Sequence, residues 1–164
     1  MEGDKVKIIF ESSNILFIEV MESLIEDYLN MVNDIEHVGR LIGRDEPIEE
    51  DKELIWIRKK IEDKAPIFSM IDKKTGDFIG NIEFMDVNNG TAELGISITL
   101  NKQEQGFGTE AIKRMLDYGK NELKLKRVFL KAFLFNDRAI HVYKKCGFIE
   151  FERNDNEVFM EVYY

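Results

Sequence analysis

The chain has 164 residues, 44% hydrophobic and 34% charged, which suits one domain over residues 1–164 with a core of its own and excludes a disordered, low-complexity chain. Its 32 acidic against 23 basic side chains give a formal net charge of -9, so a phosphate backbone would be repelled and no nucleic-acid partner is expected. One cysteine and two scattered histidines leave no disulfide framework and no metal cluster.

The opening residues, MEGDKVK, carry no apolar leader-like run, and no run approaches the ~18–20 apolar residues of a membrane span. The expectation is a cytoplasmic protein with no membrane partner. Residues 6–10 and 14–18 are short β-branched and aromatic runs parted by Glu11, Ser12 and Ser13, a small hairpin or two abutting strands. Met21, Leu24, Ile25, Tyr28, Leu29 and Val32 recur at three and four, which predicts an amphipathic helix over 21–32. Residues 34–47 hold Gly39, Gly43 and Pro47 among charges and read as an irregular or briefly helical loop, in a position to cover a site.

A second helix follows, with Leu54, Ile55, Ile57, Arg58 and Ile61 in helical rhythm and Glu49, Glu50 and Asp51 in its first turn, where the dipole favours them. Trp56, the single tryptophan, reads first as an anchor packing this helix on a sheet and second as a substrate contact. Residues 65–71 and 77–85 are strands joined by a turn ending in Gly76, and Asn88-Asn89-Gly90 is a hairpin signal leading into a strand over 91–100. A helix over 111–123, a strand over 127–133 and a helix over 136–146 come next, the last capped by Asn136 and closed by Gly147. Residues 148–164 form a terminal hairpin about Arg153-Asn154-Asp155-Asn156. The strand–helix–strand unit over 91–133 places two strands in parallel, with a ligand crevice at their carboxyl ends. The class is α/β with antiparallel neighbours.

Two motifs carry chemistry. In LGISITLNKQEQGFGTE, residues 94–110, an alternating strand ends in a polar break, and Gln103-x-x-Gly106-x-Gly108 opens a helix with Thr109 and Glu110 supplying free N–H groups. Such a turn cradles phosphate. It lacks the Lys-Ser/Thr of a P-loop and is one glycine short of a dinucleotide fingerprint, so a pyrophosphate held by main-chain N–H groups is the expected ligand; a turn with no ligand is the alternative. The second motif is NDRAIHVYKKCGF, residues 136–148, in which Asn136 and Tyr143, seven residues apart, share roughly one helical face.

In this order and spacing the two motifs resemble the GNAT superfamily of acetyl-CoA-dependent N-acetyltransferases, and most resemble its branch that acetylates ribosomal-protein N-termini, polyamines and other small amines. The resemblance covers residues 66–152. It implies a mixed, mostly antiparallel central sheet flanked by helices, with one parallel βαβ unit at the cofactor crevice. It implies that the backbone of Gln103, Gln105, Gly106, Phe107, Gly108 and Thr109 holds the pyrophosphate of acetyl-CoA, and that Ile98, Thr99 and Leu100 lend backbone hydrogen bonds to the pantetheine arm. Asn136 would bind the pantetheine or acetyl region, Arg138 the nucleotide phosphates, and Tyr143 would protonate the departing thiolate as general acid while contacting the cofactor. Arginine is frequent in the family where this chain has Gln103, and Lys102 stands next to it to supply the missing charge; Glu104 adds a negative one.

An amine attacks a thioester only when neutral, so a base must take its proton. Glu93, on the strand leading to the cradle, is the candidate, with Glu83 on the neighbouring strand as a second. His141 lies about 200° round the helix from Tyr143 and faces elsewhere. Cys146 would serve a ping-pong route, but no histidine or acid has a visible claim on it, and the resemblance implies direct transfer. The expected function is transfer of acetyl from acetyl-CoA to a primary amine of a small cationic molecule or a protein N-terminus, by a monomer or homodimer. Two other readings stay open: a non-catalytic acyl-CoA sensor or interaction module, and a nucleotide-binding domain without acyl chemistry.

Overall fold

The computed structural model describes residues 5–164. An N-terminal hairpin, β1 (Ile8–Glu11) and β2 (Ile15–Glu19), leads through a short 3-10 turn into α1 (Ile25–Val32) and, after a loop, α2 (Glu50–Glu62). A meander of β3 (Ile67–Asp72), β4 (Phe78–Asn88) and β5 (Thr91–Ile98) follows; then come α3 (Phe107–Asn121), β6 (Arg127–Phe133), α4 (Asp137–Lys145) and a closing hairpin, β7 (Ile149–Arg153) and β8 (Glu157–Tyr163). All eight strands form one sheet in the order β1-β2-β3-β4-β5-β6-β8-β7. Only β5 and β6 run parallel; the other six pairings are antiparallel.

The centre of the sheet is covered on both faces. Phe68 and Met70 of β3 enter the main core, to which α3 adds Phe107, Ala111, Ile112, Met115 and Leu116 from one helical stripe. Ile67 points the other way, into a smaller cluster with Val20, Tyr28 of α1 and Ile57 of α2. A buried polar chain ties α1 to that face: Tyr28 donates to Ser69 Oγ at 2.6 Å, and Ser69 in turn donates to Asn81 Oδ1 at 2.8 Å. Each buried hydroxyl is thus satisfied, as burial demands.

The feature that positions the site is where pairing stops. β5 and β6 are paired only at Thr91–Glu93 against Arg127–Phe129, after which both strands continue unpaired with each other. β4 holds β5 along its length, and β8 holds β6 from Arg127 to Phe133. The sheet therefore splits at the carboxyl ends of its parallel pair, where a βαβ unit leaves room for a ligand. Several boundaries differ from the sequence reading; two elements matter for the site. The strand expected to reach residue 100 ends at Ile98, because Leu100–Lys102 closes a 3-10 turn, and α3 begins at Phe107 and stops at Asn121 rather than spanning 111–123. Among the described residues no helix is long and apolar enough to cross a membrane.

Candidate active site

A cleft of about 1080 Å³ enters the gap between β5 and β6 and continues beneath the α1–α2 loop. At one end lie Gly106, Gly108 and Thr109. Gly106 caps α3 with φ +88, a left-handed conformation that only glycine adopts freely, and this starts the helix at Phe107. The N–H groups of Phe107, Gly108 and Thr109 thus belong to the unpaired first turn. Glu110 does not share that role, contrary to expectation, because its N–H donates to Gly106 O at 3.2 Å. Its carboxylate instead accepts from Asn14 N and Nδ2, both at 2.8 Å, and from Ser12 Oγ, pinning the β1–β2 turn to α3. A Cβ on Gly108 would meet nothing closer than Ile98 Cδ1 at 3.5 Å, so the space above it belongs to the cleft. The side chains of Gln105 and Phe107 turn away, Gln105 donating to Asn101 O at 2.6 Å and Phe107 entering the core.

Gln103 does more with its side chain than a cradle requires. Its Nε2 donates to Ile98 O at 2.9 Å and to His37 O at 3.1 Å, while its Oε1 accepts from Arg138 Nη2 at 2.6 Å. It therefore ties the end of β5, the α1–α2 loop and the first turn of α4 together. Arg138 also lies 3.4 Å from Glu104 Oε1. Lys102 does not supply a free charge, contrary to expectation: its Nζ sits between Asp72 Oδ2 at 3.0 Å and Asp77 Oδ2 at 3.1 Å, locking the β3–β4 turn to the cradle. Thr99 is likewise already used, its N–H donating to Ile79 O and its carbonyl accepting from Lys102 N, both at 2.9 Å. Leu100 O accepts from Gln103 N at 3.2 Å. Of the three expected pantetheine contacts Ile98 lines the gap, its own carbonyl taken by Gln103 Nε2.

Asn136, Tyr143 and Glu93 also line the cleft. Asn136 caps α4, its Oδ1 accepting from Ala139 N at 3.3 Å, which leaves Nδ2 without a partner among the described residues. Tyr143, edge-on to Phe148 at 6.1 Å, makes no side-chain hydrogen bond; burial, with a smaller push from Cys146, raises its phenol to about 12. Burial also raises the Glu93 carboxyl, which Lys131 draws down and Asp86, Glu83 and Glu157 push further up. Glu83, the other candidate base, is taken by Lys60 at 2.9 Å. His141 is exposed and outside the cleft. Cys146 is half-buried, its thiol pushed up by burial and set 3.8 Å from Thr109 O. Among the described residues no group of three or more His, Cys, Asp or Glu is placed to hold a metal.

The acetyltransferase (GNAT) domain family matches residues 14–149. The chain belongs to this family. Among relatives, the spermidine N(1)-acetyltransferase of Vibrio cholerae is 33% identical over 109 residues, 65% of this chain and 63% of that protein. An L-amino acid N-acetyltransferase of Escherichia coli is 27% identical over 99 residues, 57% of this chain and 60% of that protein. Both matches span less than two thirds of the relative's length. The fold agrees over nearly the whole chain: the crystal structure of the Vibrio cholerae spermidine N-acetyltransferase in complex with CoA and spermine superposes with a TM-score of 0.84 at 24% identity, covering 93% of this chain and 96% of that one.

The far end of the GNAT cleft is lined from segments that the sequence reading described least: Val32 and Val38, Arg44 and Ile48 of the α1–α2 loop, and Glu53 and Trp56 of α2. Trp56 both packs on the smaller core cluster and faces the cleft. The terminal hairpin contributes Glu157, and β6 contributes Lys131. Glu53 and Trp56, three residues apart, share a helical face; that spacing was a usable signal. Nothing local marks Arg44.

Proposed function

We propose that this GNAT chain is an acetyl-CoA-dependent N-acetyltransferase that passes the acetyl group directly to the primary amine of a small cationic molecule or a protein N-terminus. The observation that carries the reading is the convergence of three unpaired helical N–H groups, an unpartnered tyrosine hydroxyl and a proton-hungry carboxylate on one cleft. The cradle fits a pyrophosphate, because Gly108 leaves its approach open and the helix dipole favours negative charge there. Arg138 can exchange Gln103 and Glu104 for a phosphate without leaving the helix turn that carries it.

Acetyl-CoA supplies the activated acyl group. The amine nitrogen forms the new bond to its carbonyl carbon, the carbon–sulfur bond breaks, and the amine loses a proton. Glu93 receives that proton, directly or through water; its raised carboxyl makes it a better base than an ordinary glutamate. Tyr143 serves the sulfur. A phenol at about 12 does not yield its proton outright to a thiolate whose ordinary value is near 8.5, a gap equivalent to roughly 5 kcal/mol. Tyr143 therefore donates a hydrogen bond that strengthens as negative charge develops, with proton transfer completing late. Asn136 Nδ2 is free to hold the pantetheine arm.

The protein acts in the cytoplasm as a monomer or homodimer, with neither nucleic acid nor membrane as partner. The test is a thiol-release assay with acetyl-CoA against polyamines, basic amino acids, aminoglycosides and N-terminal peptides. Release stimulated by at least one amine, with the acetylated product seen by mass spectrometry, is expected. Acetyl-CoA binding with no transfer across the panel would return the chain to the non-catalytic sensor reading.

A further inference from the structure

Six of the seven arginines have a protein acceptor for their guanidinium. Arg44 has none among the described residues: it makes no side-chain hydrogen bond, no carboxylate lies within 4.0 Å, and its Nε is buried and unpartnered. Buried donors left unmade are rare because they carry a full desolvation penalty. A second charged group nearby also lacks a protein partner. Glu53 is only 5% exposed, and among the described residues its carboxylate accepts no hydrogen bond. Burial raises its carboxyl and Arg44 pulls it down, so the two charges feel each other without pairing. Both line the acceptor end of the cleft.

The pair is held in place. Gly43 turns the chain at φ +82, and Arg44 N donates to Gly39 O at 2.9 Å. Asn33 clamps the other end of the loop, its Nδ2 donating to Ile48 O at 3.1 Å and its Oδ1 accepting from Ile48 N at 2.8 Å. Glu53 sits on the rigid first turns of α2.

We propose that Arg44 and Glu53 read an α-amino carboxylate head group, so that the preferred acceptor is a basic α-amino acid acetylated on its side-chain amine. An unsatisfied cation beside an unsatisfied anion is the complement of a zwitterion: the carboxylate accepts from the guanidinium and the α-ammonium donates to Glu53. Val32, Val38, Ile48 and Trp56 offer an apolar wall to the intervening methylenes. The distal amine then points along the cleft toward Glu93 and Tyr143. A diamine of the same length has no group for Arg44 and leaves its own ammonium uncompensated beside it. The inference rests on the acetyl-transfer reading for its chemistry, and on Arg44 and Glu53 alone for its specificity.

L-lysine and cadaverine, and L-ornithine and putrescine, are pairs that differ only by the carboxylate. With acetyl-CoA, kcat/KM for each amino acid should exceed that for its diamine by about tenfold or more. The product should carry acetyl on the side-chain nitrogen. Arg44→Gln should raise KM for lysine about tenfold and bring the two rates together. Diamines used as well as the amino acids, acetylation on the α-nitrogen, or a preference that survives R44Q would overturn the assignment. Calorimetric binding of L-lysine and cadaverine to the CoA-bound wild-type protein separates the two readings: tighter lysine binding without turnover sinks acetyl transfer and keeps the head-group site, whereas equal or tighter cadaverine binding sinks the site.

Discussion

At the proposed donor end of the cleft the groups available to a ligand are main-chain N–H groups at the start of α3, held by the backbone geometry of Gly106. At the proposed acceptor end they are the side chains of Arg44, on a loop that Asn33 clamps, and of Glu53 and Trp56, on α2. The two constructions respond to mutation differently. Main-chain donors survive most substitutions nearby and fail only when something fills the space in front of them. Side-chain donors can be exchanged singly without disturbing the fold, which lets one donor site serve many acceptors.

The largest expected effect lies where the two ends meet. Tyr143→Phe should lower kcat by about 10²–10³-fold and leave KM for acetyl-CoA within about threefold, since the ring still packs on Phe148. Steady-state kinetics checks both. Gly108→Val should raise KM for acetyl-CoA by about tenfold or more while thermal melting stays near wild type, because the added Cβ has room in the folded protein. That outcome would show that the donor end fails by obstruction and not by loss of a side chain.

Glu93 gives the pH dependence. The base works only as carboxylate, so kcat/KM should fall as pH drops through its pKa. Burial lifts that value, so the acid limb should lie above the ordinary 4.5 of a glutamate. In Glu93→Gln the limb should disappear along with about tenfold or more of the rate. The smallest effect belongs to the acceptor end. The raised Glu53 carboxyl means that the folded chain holds a proton which the unfolded chain has released, so stability falls as pH rises above the ordinary 4.5. Glu53→Gln should therefore raise the melting temperature at pH 7 and make little difference in acid, where the carboxyl is protonated in both states.

What was legible in the sequence follows the same division. β6 was delimited at its observed ends, and the capping role of Asn136 and the closing Gly147 at φ +96 were visible, because caps and turns are set by a few adjacent residues. α3 starts four residues before 111, because the left-handed turn at Gly106 lets Phe107–Glu110 join the helix, which apolar spacing does not show. Lys102 was misassigned because its partners, Asp72 and Asp77, are 30 and 25 residues away and meet it only once β3 and β4 lie beside β5. Arg44 was passed over because its significance lies in lacking a partner. No local pattern carries that information.

Both ends must be filled at once for the chemistry proposed, and Cys146, set against Thr109 O with its thiol pushed up, is poorly suited to hold the acetyl group between them. Initial rates with acetyl-CoA and the best acceptor varied together test this most directly, paired with the intact mass of the protein after exposure to acetyl-CoA alone. Intersecting double-reciprocal lines and an unmodified chain are the predicted result. Parallel lines with an acetyl group on Cys146 would contradict direct transfer.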